Sequence, residues 1–270
     1  MSKLEQVKII LCDIDGTLLN SEGKVTPLTI EAIRKVREKG ILFGIATGRS
    51  LAGVKHLVYD WGIGEYCDIL MGFNGGTYID KALDKKGTAF LLDGETISRI
   101  LEEYKDFDYI PGIYDEDTFH ALKDGPIPRR IATGNKIEFI VDDFAKYKEV
   151  GANKMLGTGE PHVINQLEAY YAEHPGVGFR AMRSTPNLFE FINPELSKTK
   201  GIEIIAANHG LTLENVCVFG DERNDLEMIR DCGVGVCMAN GNPIVKEVAD
   251  YITLSNNEDG IAAFIEHYLL

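Results

Sequence analysis

The chain has 270 residues, of which 44% are apolar and 26% are charged, and its formal net charge is -14. Such a composition is typical of a globular protein with an ample core, and the acidic charge argues against the basic face of a nucleic-acid-binding protein. No apolar stretch approaches the roughly 20 residues that a membrane span needs. We therefore expect neither nucleic acid nor a membrane as a partner.

Five apolar segments of strand length recur along the chain, and each ends in small or polar residues. They lie at 7–12, 41–46, 68–73, 215–219 and 233–238. Continuous apolarity is typical of strands that are covered on both faces, as in a parallel sheet. Because helical patterns follow these segments, the order predicts βαβ repetition and an α/β fold with a doubly wound, Rossmann-like parallel sheet as its core.

The first helix is visible from its two ends. Thr26 can cap its amino terminus, Pro27 suits its first turn, and Gly40 stands where a left-handed residue ends a helix. Ile33 and Val36 fall on one face between these ends. This pattern predicts an amphipathic helix between the first two strands.

The pattern of apolar and polar residues changes in the middle of the chain. There, helical patterns at 95–107 and 161–174 alternate with shorter and more polar segments. Those segments are 136–141, 153–159, 177–183 and 187–192. Their alternating polarity predicts an antiparallel sheet with helices on one face, which forms an inserted α+β cap domain. The predicted domains are a core of residues 1–82 and 190–270 and a cap of residues 83–189.

The candidate catalytic and binding residues lie at the ends of the predicted core strands or at the start of a helix between them. They are Asp13, Asp15, Thr47, Gly48, Lys198, Asp221, Asn224 and Asp225. The carboxyl ends of strands in a doubly wound sheet line one crevice, so these distant residues should converge. Adjacent carboxylates repel one another, and a hard cation with oxygen ligands, Mg²⁺, relieves that repulsion. Hydroxyl, backbone N–H and ammonium groups beside them suit the oxygens of a phosphate.

Four motifs in this order resemble those of the haloacid dehalogenase-like (HAD) superfamily. They are DIDGTL at 13–18, ATGR at 46–49, the lysine of KTKGI at 198–202 and GDERND at 220–225. The insertion between the second and third motifs resembles the cap of the Cof-type, subclass IIB phosphatases. The run that starts with ANGN at 239–242 resembles the closing segment of the same subfamily.

The resemblance implies a role for each of these residues. Asp13 is the expected nucleophile, which forms an aspartyl-phosphate, and Asp15 is the expected general acid and base. The expected Mg²⁺ ligands are Asp13, the main-chain carbonyl of Asp15, and Asp221. The expected phosphate-binding residues are Thr47, Gly48, Lys198 and Asn224. Asp225 is expected to orient Lys198 or a metal-bound water.

Plainer structural interpretations exist for the same positions. Asn224 or Asp225 could cap the helix that follows, and Thr47 could cap another. Lys198 could be an exposed side chain at a helix start, and the Asp-Gly pair at 15–16 is a common turn. Independent caps and turns need not meet at one sheet edge, so the joint occurrence favours a functional site.

We predict a Mg²⁺-dependent phosphatase for a small phosphorylated metabolite, such as a sugar phosphate or a related phosphomonoester. The alternatives are a phosphomutase similar to phosphomannomutases, which returns the phosphoryl group to a sugar hydroxyl, and a non-catalytic sugar-phosphate sensor. A sensor is expected to lack Asp13 or Asp15, and both are present. The five cysteines include no CxxC pair and the amino terminus has no signal-peptide layout, so we expect a cytoplasmic protein, either a monomer or a weak homo-oligomer.

The cap is expected to supply specificity and to move on hinges at 81–84 and 185–194. Four cap arginines are candidates for attracting an anionic ligand: Arg129, Arg130, Arg180 and Arg183. The NGG sequence at 74–76 predicts a turn with positive φ. The six histidines show no metal-ligand spacing and are expected to be surface or core residues.

Overall fold

The chain divides into two units, each with its own sheet. The structure, a computed structural model, describes residues 2–270. The first unit comprises the chain through Gly87 together with Ser197–Leu270, and the second comprises Thr88–Leu196. The crossings therefore lie at 87/88 and 196/197, a few residues beyond the boundaries that the sequence suggested.

Strands and helices alternate through most of the chain. The strands are β1 (Ile9–Cys12), β2 (Leu42–Ala46), β3 (Ile69–Gly72), β4 (Thr77–Asp80), β5 (Lys85–Thr88), β6 (Ile110–Asp115), β7 (Thr118–Ala121), β8 (Glu138–Val141), β9 (Lys154–Thr158), β10 (Arg180–Thr185), β11 (Leu188–Ile192), β12 (Val216–Gly220), β13 (Val234–Cys237) and β14 (Tyr251–Ile252). The helices are α1 (Pro27–Glu38), α2 (Leu51–Asp60), α3 (Gly94–Glu103), α4 (Pro126–Asn135), α5 (Ala145–Val150), α6 (Pro161–Glu173), α7 (Lys198–Asn208), α8 (Leu226–Asp231), α9 (Pro243–Val248) and α10 (Gly260–Tyr268).

The sheet of the first unit has the order β14-β13-β12-β1-β2-β3-β4-β5. Neighbours from β14 through β3 are parallel, and β4 runs antiparallel to β3. The parallel part is doubly wound about β1, so the direction of strand order reverses between β1 and β12. The predicted α/β fold with a parallel core sheet is confirmed.

Strand β1 shows why the core segments are continuously apolar. Its four residues are fully buried, and alternate side chains enter separate hydrophobic clusters. Ile10 and Cys12 belong to one cluster, and Ile9 and Leu11 belong to the other. Successive strand residues point to opposite faces, so both faces of β1 are covered.

Helix α1 has the ends that its sequence predicts. The Thr26 hydroxyl accepts a hydrogen bond from the Thr29 N–H at 3.2 Å, and Pro27 is the first helical residue. Val36 is fully buried against the core, and Gly40 has φ of +80° just beyond the helix. Capping, apolar spacing and the terminating glycine thus agree with the observed bounds.

The sheet of the second unit has the order β10-β11-β9-β6-β7-β8. All its pairs are antiparallel except β7 with β8, which is parallel because α4 connects them. Helices α3 and α6 pack on the face that bears Ile113 and Met155, as expected. The prediction of helices on one face is corrected at α4, which packs on the other face, where Ala132 contacts Phe119 and Leu156.

The two predicted hinges lie inside regular structure, so their placement is corrected. Residues 81–84 form the turn between β4 and β5, which continue the sheet of the first unit. Residues 185–194 include β11, which pairs with both β9 and β10 in the second unit. Each segment belongs to the sheet of a single unit, so neither segment is where the chain crosses between units.

The cysteines are buried, and two of the histidines lie beside carboxylates. All five cysteines lie in the described part of the chain, where they are buried and free. His120 pairs with Asp142, and His209 Nε2 lies 2.6 Å from Asp80 Oδ2.

Within residues 2–270, no helix is both long enough and apolar enough to cross a bilayer.

Candidate active site

Asp13 and Asp221 extend the two strands at the point where the strand order reverses. The register pairs Cys12 with Phe219, and the Asp13 N–H continues the ladder by donating to the Phe219 carbonyl at 3.0 Å. Asp13 is 7% exposed and Asp221 is 8% exposed. The Thr17 hydroxyl donates to Asp221 Oδ1 at 2.7 Å. Residues that are about 200 positions apart in sequence therefore meet at one sheet edge.

Lys198 is buried between two carboxylates, with 1% of its surface exposed. Its Nζ donates to Asp13 Oδ1 at 2.5 Å and to Asp225 Oδ1 at 2.6 Å. The other oxygen of Asp225 accepts from the N–H groups of Asp221 at 2.9 Å and Glu222 at 3.1 Å. Asp225 therefore holds both the ammonium group and the loop that follows β12, which fits the predicted orienting role.

The carboxylates of Asp13, Asp221 and Asp225 offer oxygens that lie within 4.8 Å of one another. Burial raises the pKa of Asp13 to about 6, although Lys198 opposes that shift. Burial also raises the pKa of Asp221 to about 6, against the hydrogen bond from Thr17. Burial disfavours the ionised forms of these two carboxylates, so a bound cation would offset their charge. Because the ligand atoms they offer are oxygens, they fit a hard divalent cation.

Gly16 is required by the packing of the turn after β1. Its φ is +77°, and a Cβ atom there would lie 2.3 Å from Asp221 Oδ2. No other residue type fits both the left-handed backbone and this contact. The Asp-Gly turn is thus part of the site, since it brings the loop of the first motif against Asp221.

The side chain of Asp15 lies outside the carboxylate cluster and forms an ion pair with Arg49. Arg49 Nε donates to Asp15 Oδ2 at 3.0 Å, and Nη2 donates to Oδ1 at 2.5 Å. The side chain of Asp15 is 63% exposed. Arg49 was missed as a functional candidate, although it stands in the ATGR motif. The metal and acid–base roles of Asp15 stay predictions.

Thr47, Gly48 and Asn224 meet around Asn74. The Thr47 carbonyl accepts from the Asn74 N–H at 2.9 Å, and a Cβ on Gly48 would lie 3.1 Å from Asn74 Oδ1. Asn224 Nδ2 donates to that same oxygen at 3.5 Å. Asn74 and Gly75 have φ of +54° and +102°, so the turn predicted from NGG at 74–76 is present. The sequence did not predict that Asn74 contacts the candidate site residues.

The plainer structural interpretations fail at three positions. Ser50, not Thr47, caps α2, because its side chain accepts from the Gly53 N–H at 3.3 Å. Asp225 makes no capping hydrogen bond to α8. Lys198 is buried rather than exposed. Thr47 therefore does not cap α2, Asp225 does not cap α8, and Lys198 is not a surface lysine. Asp225 does accept from the Glu222 N–H in the capping box of the short helical turn at 223–225.

Three of the four cap arginines that we considered for anion binding have partners within the second unit. Arg129, Arg180 and Arg183 donate to Asp124, the Leu196 carbonyl and Asn165, respectively. Their local hydrogen bonds account for their placement, and a role in ligand attraction stays a prediction.

Comparisons with known proteins match nearly the whole chain. The profile of a family described as haloacid dehalogenase-like hydrolase matches residues 10–265. A putative phosphatase of Streptococcus pyogenes serotype M6 is 28% identical over 98% of this chain and 99% of its own length. A Bacillus subtilis protein, 5-amino-6-(5-phospho-D-ribitylamino)uracil phosphatase YcsE, is also 28% identical over 98% and 96%, respectively.

Solved structures show the same fold. A haloacid dehalogenase-like hydrolase from Bacteroides thetaiotaomicron superposes with a TM-score of 0.83 at 29% identity, covering 96% of this chain and 98% of that one. A Thermotoga maritima protein superposes with a TM-score of 0.84 over 96% and 97%, and its identity of 22% supports the fold alone.

Proposed function

Because the chain belongs to the haloacid dehalogenase-like hydrolase family, we propose that it is a Mg²⁺-dependent phosphatase of the Cof-type, subclass IIB group. Its substrate is a small phosphorylated metabolite, a sugar phosphate or related phosphomonoester, and the reaction passes through an aspartyl-phosphate. The observation that carries this proposal is Asp13, buried beside Asp221 and bonded to Lys198. Relatives named as phosphatases support it, and one of them is named for a phosphorylated ribityl compound.

In the first step a carboxylate oxygen of Asp13 attacks phosphorus, and the bond from phosphorus to the alkoxide oxygen breaks. Asp15 protonates that leaving oxygen. In the second step Asp15 takes a proton from water as the water oxygen attacks phosphorus, which releases phosphate and restores the Asp13 carboxylate. Lys198 and Thr47 stabilise the phosphoryl oxygens during both steps.

Asp13 and Asp221 are the side chains that would hold Mg²⁺. Asp225 is already committed to Lys198 and to two backbone N–H groups. When bound, the ion supplies positive charge that offsets the buried carboxylates and the phosphoryl group. The acid role of Asp15 further requires its side chain to leave Arg49, which here holds both of its oxygens.

The test is hydrolysis of an aryl phosphate by wild type and by Asp13→Asn, with Mg²⁺ or with EDTA. We expect the variant to lose roughly 10³-fold or more in kcat, and EDTA to abolish wild-type turnover. Asp60→Asn, at an exposed site on α2, is the matched control. An Asp13→Asn variant as fast as wild type would remove the proposed nucleophile.

A panel of phosphorylated metabolites separates the remaining alternatives. Release of free phosphate without stimulation by a sugar bisphosphate excludes a mutase, and absence of turnover on every ester favours a sensor. The inserted unit, Thr88–Leu196, is the proposed specificity domain. Its deletion should therefore flatten the preference among esters, and an unchanged preference would contradict that role.

A further inference from the structure

The turn that follows β13 contacts both loops that carry the proposed metal ligands. The Asn242 N–H donates to the Asp221 carbonyl at 2.7 Å, and Asn240 Nδ2 donates to the Gly16 carbonyl at 2.8 Å. Between them, a Cβ on Gly241 would lie 2.6 Å from Cys237 Sγ and 3.2 Å from Asp221 Cα. This turn, at 238–242, therefore ties the loop after β1 to the loop after β12.

A second asparagine extends this connection. The Asn256 N–H donates to Asn240 Oδ1 at 3.1 Å, and Asn256 Nδ2 donates to the Leu19 carbonyl at 2.8 Å. Both ends of the Asn240 amide are thus used, which fixes its orientation. Together the two asparagines donate hydrogen bonds to two carbonyls of the loop after β1, those of Gly16 and Leu19.

Several other hydrogen bonds hold the loop from Asp13 to Leu19. Leu18 N–H donates to the Asp13 and Ile14 carbonyls, and Leu19 N–H donates to the Ile14 carbonyl. Those bonds close the loop on itself. The Asp13 N–H ties its start to the Phe219 carbonyl of β12, and the Thr17 hydroxyl ties it to Asp221. Asn240 and Asn256 add a restraint at the Gly16 and Leu19 carbonyls. A side-chain amide on the Gly16 carbonyl restrains the adjacent peptide, and with it the residues on each side of Gly16.

We propose that Asn240 and Asn256 are positioning residues that act as one unit. They hold the Asp13–Leu19 loop so that Asp13 and Asp15 keep their places relative to Asp221 during turnover. This inference rests on the proposed phosphatase function. It assigns a positioning role to the segments ANGN at 239–242, which contains Asn240, and SNNEDG at 255–260, which contains Asn256.

The experiment compares Asn240→Ala and Asn256→Ala with Asn257→Ala. Asn257 is a matched control because it lies in the same loop and accepts from the Ser21 N–H at 2.8 Å, beyond the held segment. We expect kcat on an aryl phosphate to fall roughly 10- to 100-fold in the first two variants, as misplaced catalytic groups do. KM should stay close to the wild-type value, and Asn257→Ala should resemble wild type.

Asn240 is exposed and Asn256 half-buried, so a merely structural role would lower the thermal midpoint slightly and leave kcat unchanged. That result overturns the inference, as does an equal kcat loss in Asn257→Ala. The double variant should be no slower than the slower single variant, because the two residues form one chain. Losses that multiply would overturn the proposal that they act as a unit.

Hydrogen exchange separates this inference from the proposed function. Amides of residues 13–19 should exchange faster in Asn240→Ala and Asn256→Ala than in Asn257→Ala, whether or not the protein hydrolyses any ester. If wild type is inactive but exchange responds as expected, the proposed function fails while the loop restraint stands. Unchanged exchange overturns the restraint even in an active enzyme.

Discussion

The raised pKa of Asp221 makes the stability of the folded protein depend on pH, which can be measured. It is buried, neighbours two other carboxylates, and has a pKa raised from its ordinary value of 3.8 to about 6, chiefly by burial. A raised carboxyl pKa means that the folded state binds the proton more tightly than the unfolded state. Stability from this group is therefore lost as pH rises from about 4 to about 6, and stays lost above that range.

Replacing Asp221 by Asn should stabilise the metal-free protein at neutral pH. Asn keeps an oxygen for the Thr17 hydroxyl and removes the buried charge. A shift from 3.8 to about 6 corresponds to up to about 3 kcal/mol. Urea unfolding in EDTA should show this gain at pH 8 and little of it at pH 4. Asp106→Asn, at an exposed position, is the control, and an Asp221→Asn variant no more stable than wild type at pH 8 would contradict the assignment.

The connection between β1 and α1 contains two glycines that share a backbone conformation but differ in surroundings. Gly16 has φ of +77° and would press a Cβ atom onto Asp221, whereas Gly23 has φ of +72° with nothing within 4 Å of its Cβ position. The pair thus separates the cost of a left-handed backbone from the cost of a steric clash in the site.

Alanine at either glycine should cost about 1–2 kcal/mol, because a side chain disfavours the left-handed region. At Gly16 the clash with Asp221 should add to that cost. Only Gly16→Ala should also lose activity, since its Cβ displaces the Asp221 carboxylate. Thermal unfolding and kcat measured on both variants test this difference. Equal activity in the two variants would show that the loop absorbs the Cβ without moving Asp221.

At the scale of the whole molecule, the negative net charge favours binding of a cation and disfavours binding of a phosphate ester. The net charge of -14 attracts Mg²⁺ and repels an anionic ester, so local donors such as Lys198 must offset the overall field. A metal site that exists only in the folded state links ion binding to stability, because unfolding disperses ligands from β1 and β12.

Mg²⁺ should therefore raise the thermal midpoint of wild type. The stabilisation should reach about 2.7 kcal/mol when the ion is at one hundred times its Kd. Asp221→Asn should lose most of this response, and NaCl at matched ionic strength controls for screening. An equal Mg²⁺ response in wild type and Asp221→Asn would place the ion elsewhere.

The core and much of the site could be predicted because the parallel-sheet rule converts positions in sequence into positions in space. Three of the four motifs follow continuously apolar segments, and the carboxyl ends of such strands share one edge. That rule alone brings Asp13 close to Asp221. The buried state of Lys198 and its bond to Asp13 agree with this expectation.

Contacts between loops could not be predicted in the same way. The pairing of Arg49 with Asp15, and of Asn240 with Gly16, depends on side-chain directions that no spacing rule provides. In the second unit, β6 was missed because Pro111 and Gly112 interrupt its apolar pattern. Strand β7 was also missed.

The central place of β1 has a consequence for biosynthesis. One edge of β1 pairs with β2, which emerges from the ribosome soon afterwards, but the other pairs with β12, which starts at Val216. A chain that stops short of Val216 cannot complete the ladder on that side. During translation the nascent amino-terminal half thus carries an unpaired apolar edge while the entire inserted unit is made.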